Sequence, residues 1–322
     1  MRPVFSILPL LLLLALPAFA PPCLAGSYPE KAVEYLIVFN AGGESDIFAR
    51  AQQPLLEKHL GQSVVLSYKA GGGGAAGWAD LAGARPDGYL TAGFNLPHII
   101  LQPLQREDAG YATSDIRPVM IFMSTPCVLA VPLNSPHDSL ESFLRAAAAE
   151  GQAPTLGGSA ANSANHLAVE RLNAMTGLNI AYMPFSGSGD AMPAFFGGSV
   201  SGLMTYTTMG VQYAKSMRVL AVASEERFPA LPDVPTFREL GYDLVEGAYR
   251  GLAVPPGTPA DVTQSLYLAL ARVNADPAFA ARMTALGFQL ENLDPEQSEA
   301  FIEARSRLYA KLLDALAKSR RE

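Results

Sequence analysis

The chain reads as an α/β protein folded in two similar lobes, and three features predict this. Apolar runs of strand length alternate with amphipathic runs of helix length, the pattern of parallel sheets covered by helices on both faces. Glycine-rich or Pro-Asp-Gly turns separate the runs. The alternation starts again after about Thr125, so one unit is followed by a second of the same kind. In the first unit "AVEYLIVF" (32–39) is a strand, "SDIFARAQQPLLEKHL" (45–60) the helix after it, and "SVVLSY" (63–68) and "GYLTAGF" (88–94) the next strands. The second unit opens with the strand "CVLAVPL" (127–133) and the helix "SLESFLRAAAAE" (139–150). A short strand at "PTLGG" (154–158), the helix "ANHLAVERLNAM" (164–175) and the strands "SGLMTY" (201–206) and "VLAVAS" (219–224) complete it. From Pro259 onward the pattern is helical, in three segments divided by Asp276-Pro277 and Asp294-Pro295.

Export is written into the first residues. Arg2 precedes the uncharged run "FSILPLLLLLALPAFA" (5–20), which ends in small residues suited to signal-peptidase cleavage. Cleavage after Ala20 leaves Pro21 at the new terminus, so Cys23-Leu24-Ala25 places the cut after Ala25: residues 1–25 form the signal peptide. The run is short for a bilayer crossing and is broken by Pro9 and Pro17, which argues against a retained anchor. Without the leader Cys127 is the single cysteine, in the apolar stretch "MSTPCVLAVPL"; it is expected to be buried and reduced, and stability must come from the core. Losing Arg2 takes the formal net charge from −7 to about −8, which excludes a general nucleic-acid surface. A soluble monomer is expected.

Candidate ligand-holding residues lie where strands feed helices. Asn40-Ala41-Gly42-Gly43-Glu44-Ser45-Asp46 joins the end of the first strand to a helix, the place where open α/β sheets bind ligands. Gly42 and Gly43 are expected to take positive φ, and Ser45 or Asp46 to cap the helix whose first N–H groups face an anion. In the second unit Gly158, Ser159, Asn162, Ser163, Asn165 and His166 repeat the design, with hydroxyl and amide donors before a helix. Phe185 and Ser186, at another strand-to-helix turn, and Thr205 and Tyr206, at a later strand end, would line the same cleft. Two such loops facing each other make a carboxylate clamp.

Other chemistries lack the groups they require. Gly72, Gly74 and Gly77 match the dinucleotide spacing, but no acidic residue stands at a strand end about twenty positions on, and Asp87 belongs to the turn "RPDGY"; the loop is expected instead to approach the cleft through its backbone or to be a plain turn. His59, His98, His137 and His166 have no paired ligand spacing, so neither a metal nor any other cofactor is implied. Ser159 and His166 lie seven apart without a nucleophile-elbow context; a secreted hydrolase acting through Ser159 is the alternative of a different class.

Taken as a series, "YPEKAVEYLIVFNAGGESDIFAR", "LGQSVVLSYKAGGGGAAG", "ARPDGYLTAGF", "GSAANSANHLAVERL", "YMPFSGSGDAMPAFFGGSVSGLM", "RVLAVASEERFPALPDVPTFRELGY" and "RGLAVPPGTPADV" resemble, in order and spacing, the Bug family, the extracytoplasmic receptors of tripartite tricarboxylate transporters. The resemblance spans nearly the whole mature chain. It implies a type II periplasmic-binding-protein (Venus flytrap) fold with a hinge, lobe one being 28–125 plus 246–322 and lobe two 126–245. It further implies a periplasmic receptor without catalysis, a small carboxylate held by Asn40 to Asp46 and Gly158 to His166, and integral-membrane transporter subunits as partners. A sensor for a signalling partner is a second reading. Departures from the family pattern are Asn40-Ala41, where prolines are frequent, Ser199-Val200-Ser201, and Glu44, where a small neutral residue is usual. Glu44 is expected either to point away or to favour a ligand with an amino, amide or hydroxyl group near its carboxylate.

Overall fold

The computed structural model describes residues 28–149 and 154–319; the signal peptide and its cleavage site lie outside them. The strands are β1 (Val33–Ile37), β2 (Val64–Tyr68), β3 (Leu90–Leu96), β4 (Arg117–Pro132), β5 (Thr155–Gly158), β6 (Ala181–Pro184), β7 (Gly202–Tyr206), β8 (Met217–Val222), β9 (Gly247–Val254) and β10 (Gln289–Leu293). The helices are α1 (Glu44–Leu60), α2 (Ala75–Ala82), α3 (His98–Gln105), α4 (Leu140–Ala148), α5 (Ala164–Thr176), α6 (Met192–Phe196), α7 (Thr207–Gln212), α8 (Ala260–Asn274), α9 (Pro277–Ala285) and α10 (Pro295–Ser319).

The strands run β2-β1-β3-β9-β4-β7-β5-β6, with β8 and β10 also paired to β4. Pairing is parallel at both ends, β2-β1-β3 and β7-β5-β6, and antiparallel in the middle, where β9 and β4 meet their neighbours. The expectation of purely parallel sheets is therefore corrected: chain that returns from the second half re-enters as β9 against the direction of β3. β4 holds the two halves together. Its residues up to Pro126 pair with β9, and from Cys127 onward it pairs with β7 and β8. The sixteen-residue run is buried along almost all its length, so each half packs its own helices against part of one strand.

Both faces of the first half are covered. On one, Phe48 of α1 stacks on Phe122 of β4 at 5.1 Å and meets Phe279 and Phe288 edge-on, which fixes the helix that carries the first loop. On the other, Trp78 is fully buried and donates through Nε1 to the Gly93 carbonyl. The second half has its own core of Leu129, Phe143, Leu156, Leu172, Leu220 and Phe237. The C-terminal helices lie as the sequence suggests, but β10 stands between α9 and α10 and closes onto β4.

A buried carboxylate sits where the chain crosses back. Glu246 is fully buried, and its oxygens meet Arg171 of α5 at 3.0 Å, Arg305 of α10 at 3.3 Å and the Tyr309 hydroxyl at 3.0 Å. Its backbone is tied to the second half, with Cys127 N donating to Glu246 O and Glu246 N to Ala223 O, while its side chain reaches Arg305 and Tyr309 of α10. Glu246→Leu leaves two mostly buried guanidinium groups without their counter-ion and is expected to cost roughly 3–5 kcal/mol in denaturant unfolding; a loss under about 1 kcal/mol contradicts the arrangement.

Cys127 is fully buried in the same crossing, and burial, with the nearby Glu246 charge, pushes its thiol well above the usual range. A thiol reagent is expected to modify the native protein only as fast as it opens and the unfolded protein at once. Rapid stoichiometric labelling of the native state contradicts the burial.

Candidate functional site

Between the halves lies a cleft of about 660 Å³. The first wall is the loop from β1 into α1. Gly42 adopts φ +86°, and its N–H donates to Asp46 Oδ2 at 2.7 Å. Asp46 also accepts from the Tyr68 hydroxyl at 2.6 Å and pairs with Arg50 at 2.8 Å, so it is a buried fastener of the loop rather than part of the cleft lining. α1 begins at Glu44 with Gly43 as its N-cap and no side-chain cap, which corrects the assignment of capping to Ser45 or Asp46. Gly43 has φ −78°, and a Cβ built there meets only the Asn40 carbonyl at 3.5 Å; of the two glycines, Gly42 alone needs the left-handed region. Gly42, Gly43, Glu44 and Ser45 line the cleft, and Asn40 does not.

The opposite wall is the loop from β5 into α5. Ser159 donates through N (3.2 Å) and Oγ (2.5 Å) to Asn165 Oδ1, which is buried beneath it. Ser163 caps α5 by accepting from His166 N. Asn162 holds φ +62°, donates from N to His166 Nδ1 at 3.0 Å and reaches across to Gln105 of α3 with Nδ2 at 2.8 Å. Gly158 is enclosed, since a Cβ there comes within 2.6 Å of the Met204 carbonyl. Ser159, Ser163, Ser186 and Tyr206 line the cleft. Gly158, Asn162, Asn165, His166, Phe185 and Thr205 are not part of this lining, Phe185 lying against the core near Leu203 and Thr205 within the pairing of β7 and β4.

Ser159 and His166 do not meet. The serine hydroxyl is taken by Asn165, while His166 stacks on Tyr182 at 4.7 Å and turns Nε2 to Glu170 at 3.3 Å. The glycine turn at 71–74 folds onto α3 instead of the cleft, with Arg106 donating to the Gly72 carbonyl at 3.4 Å. Among the described residues no cluster of three or more His, Cys, Asp or Glu side chains is placed to hold a metal.

The floor of the cleft holds groups that sequence reasoning missed. Arg250 of β9, with a side chain 9% exposed, donates from one terminal nitrogen to Thr125 Oγ1 at 3.0 Å and from the other to Glu44. Asn95, in the amide orientation that satisfies both its ends, accepts from Arg250 Nε and Ser45 Oγ at 3.2 Å each. The second Glu44 oxygen accepts from Thr208 Oγ1 of α7 at 2.7 Å. Glu44 thus neither points away nor stands as an uncompensated charge: it is turned inward, and Arg250 supplies its counter-ion. His98, beside them, is held down to about 4 by burial and then by the Arg250 charge, so it is neutral at physiological pH. The available signal was a lone arginine inside the apolar run "YRGLAV", where a charge demands a partner.

Gly42→Ala forces a Cβ into the left-handed region and is expected to cost about 1–2 kcal/mol. Gly43→Ala is expected to stay within about 0.5 kcal/mol of wild type. Equal losses in urea unfolding contradict the loop geometry.

Comparison with known proteins agrees with this arrangement. The profile described as "Tripartite tricarboxylate transporter family receptor" matches residues 48–317. Protein BugT of Bordetella pertussis is 28% identical over 294 residues, covering 90% of each chain. The crystal structure of a TctC solute binding protein from Polaromonas, without ligand, superposes with a TM-score of 0.79 at 26% identity, covering 90% of this chain and 100% of that one. R. palustris Rpa4515 with adipate gives a TM-score of 0.78 at 25% identity, covering 89% and 97%. With two lobes joined through β4, a cleft between strand-to-helix loops, and a family match over most of its length, the chain belongs to the tripartite tricarboxylate transporter receptor family.

Proposed function

We propose that the protein is a periplasmic receptor that captures a small carboxylate in the cleft and presents it, with the lobes closed, to integral-membrane transporter subunits. One observation carries the reading: Ser159 and the N-cap Ser163 at the start of α5 and the floor around Arg250 converge on a single cleft of about 660 Å³, large enough for a small organic acid. The adipate held by the R. palustris relative supports the ligand class. The leader at residues 1–25 supports the compartment, and among the described residues no helix is long and apolar enough to cross a membrane. Lobe one is taken as 28–125 plus 246–322 and lobe two as 126–245; the change of partners along β4 at Pro126 and Cys127, and the return at Glu246, support a hinge there. Closure and affinity then belong to one conformational equilibrium. The protein acts as a monomer and does no chemistry of its own; the separate partners of Ser159 and His166 support this over hydrolysis.

A thermal-unfolding screen over small carboxylates tests the proposal. A true ligand at a hundred times its dissociation constant is expected to stabilise the protein by about 2.7 kcal/mol and to be recovered unchanged by mass spectrometry. Stabilisation by no carboxylate, or recovery of a hydrolysed product, overturns it.

A further inference from the structure

We propose that Glu44 is a charge filter, restricting the cleft to ligands that carry one carboxylate on an uncharged, largely apolar body. The inference rests on the receptor reading above and names the ligand class of that same site. Among the described residues the cleft is lined by two formally charged side chains, Glu44 and Arg250, and they are bonded to each other. Every nitrogen of the Arg250 guanidinium faces a protein oxygen: Thr125, Glu44 and the Asn95 amide. His98 adds no positive charge at physiological pH. The side chains therefore offer no uncommitted cation to a ligand.

The two helix ends facing the cleft are also unequal. The first turn of α1 carries two carboxylates, Glu44 and Asp46, which already oppose the positive end of its dipole. That of α5 carries no acidic residue, so the positive end of its dipole is unopposed, and Ser159 and Ser163 at its start line the cleft. A ligand carboxylate is drawn to α5. Whatever lies at the ligand's other end meets Glu44 with its counter-ion already in place, together with Phe39, Ile47, Met209, Leu286 and Phe288. A second carboxylate there must either displace Glu44 from Arg250 or stand beside it, and both cost affinity.

Calorimetry with hexanoate and adipate, acids of equal chain length, tests the filter on the mature protein. Wild type is expected to bind hexanoate more tightly than adipate by about tenfold or more. Glu44→Gln releases Arg250 and is expected to remove most of that ratio. Ser186→Lys, at an exposed position on the cleft rim, leaves the Glu44–Arg250 pair intact, adds a cation, and is expected to lower the ratio as well. Thermal melts without ligand establish that each variant is folded, and Ser186→Lys decides the matter if Glu44→Gln is not. If wild type binds adipate as tightly as hexanoate, if folded Glu44→Gln leaves the ratio unchanged, or if Glu44→Gln is unfolded and Ser186→Lys leaves it unchanged, the filter is overturned while the receptor reading stands. If neither acid nor any carboxylate of the wider screen binds, the receptor reading falls and the filter with it.

Discussion

The rest of the molecule depends on how the crossing between the two halves is held. Each half has a core of its own, and the halves share the strand β4 and the return at Glu246. A carboxylate buried there is costly unless every oxygen is met, and here α5 supplies Arg171 while α10 supplies Arg305 and Tyr309. The attraction is offset by desolvation, so the cluster contributes less to net stability than to geometry: its full strength is reached in one mutual placement of α5 and α10. Since α5 is also the helix whose N-cap Ser163 walls the cleft, the position of that wall is referred to the crossing through Arg171.

The Glu44–Arg250 pair follows the same logic on a more open stage. A guanidinium nine-tenths buried without a counter-ion is penalised by several kcal/mol, and β9 carries Arg250 into the floor regardless of what the cleft holds. Glu44 removes that penalty. Thr208, from the other half, satisfies the second oxygen, so one side chain both neutralises the floor and bridges the cleft. This arrangement contrasts with Asp46 two residues later, whose oxygens are spent on Gly42, Tyr68 and Arg50 to shape the loop.

The periodic elements were legible in the sequence because their cause is local. Alternation and amphipathic spacing place β1, α1, β2, α5 and α8 within a residue or two of their ends. β4 was read no further back than the apolar stretch 123–133, with 127–133 as the strand; in the structure it begins at Arg117, and Pro126 within it is in register with Gly247. β10, "QLENL", is half-exposed and short, so it left no apolar run to read. In the site, the strand-to-helix loops were legible from their glycines and caps, but Glu44 and Arg250 are 206 residues apart and no spacing rule joins them. Gly43 was misjudged for a related reason: a glycine pair marks a turn without saying which member takes positive φ.

The placement of the pair also fixes when it acts. Glu44 and Arg250 both belong to the half built on β1, β3 and β9, whereas Thr208 lies on α7 beyond the crossing. If the lobes part as proposed, the bond to Thr208 breaks and the ion pair stays where it is. On that reading a ligand approaching the open form meets a floor that is already neutral, and the proposed discrimination against a second carboxylate would operate at encounter as well as after closure. On the proposed reading, closure adds the unopposed dipole end of α5 to the ligand's single carboxylate, and the free energy that would shut the lobes comes from the end of the ligand that the floor does not contest.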